Sequence, residues 1–268
     1  MTFVTLRAWE SASLLAFAYS ALTAVLRHGV PSAMRVRALG ASAAGIALVA
    51  TSVIAPPNSI LHAWLLPPAL LFLFYWTTGL LFVAPMKPVE DTFVRIDRAL
   101  RIRDWSSRAP TWLVEVLEAA YAGVFALIPV ALVLYLYFAH PPDSDRFWTV
   151  ILVTDFVCFG FLPWIQTRPP RTLEAGEPWN SSLRWINLRA LGAASIQVNT
   201  FPSGHAAEAL AAALLVAGLS PIIFGSIFVA AAAVAAGAVF GRYHYAIDAL
   251  AGWLVALTVW ILVTEAMR

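Results

Sequence analysis

The stretch Phe201-Pro202-Ser203-Gly204-His205-Ala206-Ala207-Glu208 separates a polar loop from an apolar run that continues to Leu219. A Pro-Ser-Gly-His turn that opens a helix has a definite physical use. Ser203 caps the first turn, and Gly204 lets the backbone approach a ligand closely. The unpaired N–H groups of the helix start then point at that ligand, and the helix dipole favours an anion. His205, in the first turn, stands where it passes a proton to that anion. Phosphate fits such a cradle better than a carboxylate does, although the turn alone does not decide between them.

A second stretch, Gly241-Arg242-Tyr243-His244-Tyr245-Ala246-Ile247-Asp248, belongs with the first. His244 and Asp248 are four residues apart, so on a helix they share a face. A carboxylate in that place fixes an imidazole's tautomer and stabilises its cation. A lone histidine at a helix end is usually an ordinary polar residue. Two of them, each with phosphate-compatible neighbours, argue for a site.

Composition sets the class. The chain is 61% hydrophobic and 12% charged, far from a soluble domain. Several apolar runs reach the ~20 residues needed to cross a bilayer, and open sheets are excluded because lipid leaves backbone groups no outside partner. The expectation is an all-α polytopic membrane bundle of about eight spans, with no cleavable leader ahead of the first. These spans run over 11–26, 38–55, 60–83, 111–139, 147–165, 203–219, 221–240 and 246–264. Pro56-Pro57-Asn58 reads as a tight turn, and Pro67-Pro68 as a kink or a first helical turn. Ser220-Pro221 reads as a cap followed by a first-turn proline. Cys158 is the only cysteine, which excludes an intrachain disulfide.

Between the third and fourth spans, Val89, Phe93, Ile96 and Leu100 recur at helical spacing among charged residues. They predict one interfacial amphipathic helix over 88–105, a connector covering the membrane surface. Glu115 and Glu118 read as solvated, whereas Asp155 inside a span is either functional or a buried hydrogen-bonding group. Trp9, Trp112, Trp148 and Trp164 near span ends fit an aromatic belt. The loop 166–200 carries Arg168 and Arg171, and a short surface helix is expected over 183–191.

Topology joins the motifs. One helix leaves from His205 and the next returns, so His244 comes back to the face where His205 began, together with Arg168, Arg171 and Arg242. Arginine holds phosphate in bidentate fashion and stays protonated. The site that results is a phosphoryl-transfer site at the lipid–water boundary. With eight spans, most lysines and arginines fall on that face, against Arg7, Arg146 and Arg268 opposite. The positive-inside rule then places the site in the cytoplasm, with a bacterial inner membrane as the expected setting.

These residues resemble the type 2 phosphatidic acid phosphatase (PAP2) superfamily, which shares its core with vanadium haloperoxidases. Pro202 to His205 match the family's second motif, His244 and Asp248 its third, and Arg168-Pro169 its first. The resemblance implies a catalytic core over 111–268 behind an N-terminal extension of three spans and the interfacial helix over 1–110. It implies that His244 is the nucleophile, Asp248 its orienter and His205 the general acid and base. Arg168, Ser203 and Gly204 would hold the phosphate oxygens, with no metal or cofactor. The substrate would be a lipid phosphate, phosphatidic acid-like or polyprenyl, taken from the bilayer, and no nucleic acid is implied. Two cations of the pattern are absent: Phe161 stands in place of its Lys and Ala238 in place of its Arg, with Gly237 for its Ser. Arg171 and Arg242 are the candidates to replace them. The run from Gln166 to Arg171 is similar to the inositol phosphorylceramide synthase branch, which passes a phosphorylated head group to an alcohol. A transporter would need more intramembrane charge than Asp155, and the haloperoxidases are soluble.

Overall fold

Apolar runs in this chain become helices because each helix satisfies its own backbone polar groups. The computed structural model describes residues 6–54, 60–140, 143–174, 176, 179 and 181–267. The Pro56-Pro57-Asn58 turn and Arg268 lie outside them. Among the described residues there are eleven α-helices and no strand beyond one isolated bridge. They are α1 (Ala8–Leu26), α2 (Ser32–Ile54), α3 (Leu66–Gly79), α4 (Lys87–Ala99), α5 (Ile102–Arg108), α6 (Thr111–Phe138), α7 (Ser144–Gly160), α8 (Ser182–Ala194), α9 (Gly204–Leu215), α10 (Pro221–Phe240) and α11 (Ala246–Ala266). A π-helical turn, Leu61–Leu65, runs into α3, so Pro67-Pro68 sits in the first turn of that helix. Ser220 caps α10 by accepting from the Ile222 N–H, with Pro221 behind it. The surface helix of the long loop is α8, capped by Ser181.

Five of these helices are long and apolar enough to cross a membrane: α1, α2, α6, α10 and α11. They make the chain an integral membrane protein. The expectation of eight spans is not met on that measure, because α3, α7 and α9 have 14, 17 and 12 residues. At ~1.5 Å per residue, α9 covers roughly 18 Å, well short of a ~30 Å hydrocarbon core. It is instead the central helix, packed on α6, α7, α10 and α11. Its run of buried alanines, Ala206, Ala207, Ala209 and Ala211 to Ala213, lets those neighbours come close. Gly252 of α11 allows one close approach, since a Cβ there would lie 2.5 Å from the Ser203 carbonyl oxygen.

Three expectations change on packing. The amphipathic stretch is two helices, broken at Arg101, whose φ of 55° is left-handed. The inward face of α4 is Glu90, Phe93 and Asp97, while Leu100 is exposed. The inward carboxylates are drawn there by buried cations described below. Glu118 is not solvated: it is fully buried in α6 and accepts from Trp179 Nε1, Arg184 Nη1, Asn187 Nδ2 and the Tyr243 hydroxyl at 2.6–3.1 Å. It ties the long loop and α8 to the helix bundle. Of the four tryptophans, Trp112 and Trp164 are exposed as a belt requires, but Trp9 and Trp148 are interior.

Removing Glu118 takes one carboxylate partner from the buried Arg184 guanidinium and the shared acceptor from Trp179, Asn187 and Tyr243, a loss of about 3–5 kcal/mol for a broken buried pair. Glu118→Ala is expected to lower the melting temperature in detergent and open the loop after Pro170 to protease. A melting curve unchanged from wild type would contradict the hub.

Candidate active site

The turn at Pro202 to His205 and the N-terminus of α11 are stitched together by backbone: the Ser203 N–H donates to the Asp248 carbonyl at 3.0 Å. That single bond sets the two histidine-bearing segments side by side. His205 and His244 both line a small polar cavity, with ring centroids 6.4 Å apart. Behind His244, its Nδ1 lies 3.4 Å from Asp248 Oδ2, close enough for an ion pair but outside hydrogen-bond geometry. Asp248 Oδ2 also accepts the Tyr245 N–H at 2.8 Å, which locks the carboxylate. With Nδ1 turned to Asp248, Nε2 is the nitrogen of His244 left for chemistry.

A stack of rings sets the plane of His205. Tyr121 of α6 lies between His205, at 5.3 Å and 16°, and Tyr243, at 4.0 Å and 2°. The Arg171 guanidinium stands 5.5 Å from the Tyr243 ring centre and lines the same cavity. Among the described residues Arg171 makes no ion pair, and burial lowers its guanidinium from the ordinary value against the pull of Tyr121 and Tyr243. An anion arriving beside it offsets that loss.

The polar cavity has a volume of about 30 Å³, the room of a single water. It shares Tyr75, Tyr121, Phe159, Leu191, Ser195 and His205 with a second cavity of about 560 Å³. That larger cavity runs between α3, α6, α7, α8 and α9, walled by groups such as Phe72, Phe125, Ile128, Leu132 and Trp148. A polar mouth with two imidazoles and a guanidinium therefore adjoins an apolar chamber.

A family model of the PAP2 superfamily matches residues 89–262, more than half of the chain. The chain belongs to the PAP2 superfamily. Phosphatase-type phosphoester chemistry comes with that membership. No curated protein and no solved structure matches the chain. The matched range opens inside α4, ahead of the fourth span.

The PAP2 motif residues do not all reach the cavity. His205, His244 and Arg171 line it, and Asp248 backs His244. Arg168 does not line it: its backbone N–H, Nε and Nη2 all donate to Glu90 of α4 at 2.7–3.0 Å. Nor does Arg242, which is buried at φ 60° between Asp97, at 2.6 Å, and Glu174, at 2.6 Å. Its carbonyl takes the Arg171 N–H at 3.0 Å, and so positions the arginine that does face the cavity. Ser203 is a buried helix cap on the Ala206 N–H. At Gly204 an added Cβ would meet the Phe159 ring at 2.5 Å, so the glycine there makes room for a cavity wall.

The departures from the PAP2 pattern at Gly237 and Ala238 have packing causes, and the one at Phe161 has none in the structure. Gly237 lies where a Cβ would stand 2.4 Å from the Leu117 carbonyl. Ala238 is fully buried against Tyr121 and Tyr243, and its carbonyl holds the N–H groups of Tyr243 and His244. Phe161, at the end of α7, is half-exposed. Tyr121, Thr200 and Ser195 were not legible as site residues, because no motif spacing connects them to the histidines.

The Arg168 side chain holds the Glu90 carboxyl below its ordinary value. A depressed carboxylate stabilises the fold above its unfolded pKa and loses that effect as the pH falls through the folded value. Acidification below the usual carboxylate range is expected to loosen the Arg168 loop, read as faster protease nicking near Arg171. Glu90→Gln is expected to show the same nicking at neutral pH. Equal nicking of wild type and Glu90→Gln at all pH values would remove the clasp.

Proposed function

We propose that the protein is an integral-membrane lipid phosphate phosphatase that works through a phosphohistidine on His244. The observation that carries this reading is the adjacency of the His205–His244–Arg171 mouth to a 560 Å³ apolar cavity, with His205 lining both. A cavity of that size holds one long hydrocarbon chain, being several times the ~150 Å³ that accommodates a benzene ring. The phosphoryl group sits at the junction of the two cavities, since the polar one alone is water-sized.

In the first step Nε2 of His244 forms the bond to phosphorus, and the bond from phosphorus to the lipid oxygen breaks. His205 gives its proton to that leaving oxygen. Asp248 supports the positive charge on His244. In the second step His205 takes a proton from water as that water attacks phosphorus, releasing phosphate and restoring His244. Arg171 stabilises the charge on the equatorial oxygens throughout. We assign Arg242, Arg168, Ser203 and Gly204 to building the site around these groups. Helix α4 joins the catalytic half of the chain, 111–268, in that assignment, and α3 of the N-terminal half supplies a cavity wall.

A second reading is head-group transfer, with an alcohol replacing water as acceptor. It is favoured by the cover that α8 and the segment after it place over the mouth through Leu191 and Val198, and by the likeness of the Gln166 to Arg171 run to the inositol phosphorylceramide synthase branch. Counted on the eight-span topology, the excess of basic residues on the catalytic face favours a cytoplasmic site.

Purified enzyme is expected to release phosphate from lipid monophosphates, and His244→Ala to release none. Arg171→Ala is expected to lower kcat/KM by roughly 100- to 1,000-fold. Arg168→Ala is expected to lower it by about tenfold or less, because that cation acts through Glu90. Equal losses at the two arginines would return Arg168 to the phosphate. Product with the phosphate on an added alcohol, and little free phosphate, would select transfer. Sidedness is read with Leu100→Cys and an impermeant maleimide, since Cys158 is buried. Labelling only from the cytoplasmic side of sealed vesicles is expected, and labelling only from outside would reverse the orientation.

A further inference from the structure

Glu208 is unaccounted for by the mechanism. It lies three residues after His205 on α9, is 8% exposed, and lines the large apolar cavity beside His205. Among the described residues no amide, hydroxyl or cationic side chain is placed to donate to it. The polar group set against it is Asp155 of α7, another acid, whose two oxygens have no hydrogen-bond partner. Two facing carboxyls can share one proton, but that leaves acceptor capacity turned to the cavity. A buried acceptor gains from a donor brought to it. An acid in an otherwise apolar wall is therefore suited to a ligand that brings a donor to that depth.

The depth follows from helix geometry. Three residues advance ~4.5 Å along the axis, and a helical side chain leans back toward the N-terminus. A group meeting Glu208 is thus within roughly two to four covalent bonds of an oxygen at His205. We propose that Glu208 is a specificity-determining residue that accepts a hydrogen bond from a hydroxyl or amide N–H of the lipid, within that distance of its phosphoester oxygen. The substrate class is then a lipid monophosphate with a free backbone hydroxyl or N-acyl amide. Fully esterified diacyl and isoprenoid phosphates carry no donor there. The inference rests on the phosphatase reading above and narrows its substrate.

The test measures kcat and KM on four detergent-dispersed lipids: lysophosphatidic acid and ceramide 1-phosphate, which carry the donor, and phosphatidic acid and farnesyl phosphate, which lack it. Wild type is expected to favour the first pair at least tenfold. Glu208→Leu is expected to lose about 10- to 100-fold on that pair, chiefly through KM because the bond exists before the transition state, while the second pair changes less than threefold. Glu208→Gln keeps a carbonyl acceptor and is expected to retain most of the preference. No preference in wild type, or a Glu208→Leu loss equal on all four lipids, overturns the proposal while turnover abolished by His244→Ala leaves the phosphatase reading standing. Absence of turnover of every lipid by wild type overturns the phosphatase reading and this one with it.

Discussion

The Arg242 guanidinium, buried between Asp97 and Glu174, is the constraint on which the site depends. A buried cation is tolerated only where carboxylates meet it with good geometry. Meeting it here brings together α4, the long loop and the turn before α11. Asp97 also accepts the Ala246 N–H at the start of α11, and burial raises the Asp97 carboxyl against the pull of Arg242. The Arg242 carbonyl in turn holds the Arg171 N–H, and the Tyr245 hydroxyl holds the Arg168 carbonyl. A cation missing from the cavity is therefore the anchor of the loops that line it.

A second anchor works from the opposite side. Glu118 gathers four donors from the loop, α8 and Tyr243. Through Tyr243 it reaches the ring stack that ends at His205. The same stretch of α6 thus sets the orientation of one histidine and, further along through Phe125 and Ile128, the wall of the apolar cavity. Polar chemistry and hydrocarbon space meet on one helix. That juxtaposition is what a reaction at the head of a lipid needs: a charged centre screened from bulk water, with the chain held in a separate chamber.

Helix α9 places the junction by where its N-terminus lies. Its N-terminus is held inside the bundle by α11 and α7, through the close approaches at Gly252 and Gly204. Its alanines let four helices crowd around it. His205, in the first turn of α9, and Phe159 of α7 each border both cavities.

The sequence by itself determined the membrane class, the helical architecture and the Asp248 partner of His244, because apolar length and i, i+4 spacing are local properties, while the pairing of His205 with His244 was indicated by the order of the two motifs. It also indicated Arg171 as one of several candidate cations. Only the tertiary structure decided which arginine faces the cavity. Arg168, Arg171 and Arg242 are equivalent in composition and lie in similar loops, and the difference is the carboxylates that α4 brings to two of them from 70 or more residues away in the chain. Those long-range pairs, like the burial of Glu118 and Glu208 and the Tyr243–Tyr121–His205 stack, come from how helices distant in sequence pack, and no local pattern encodes that packing.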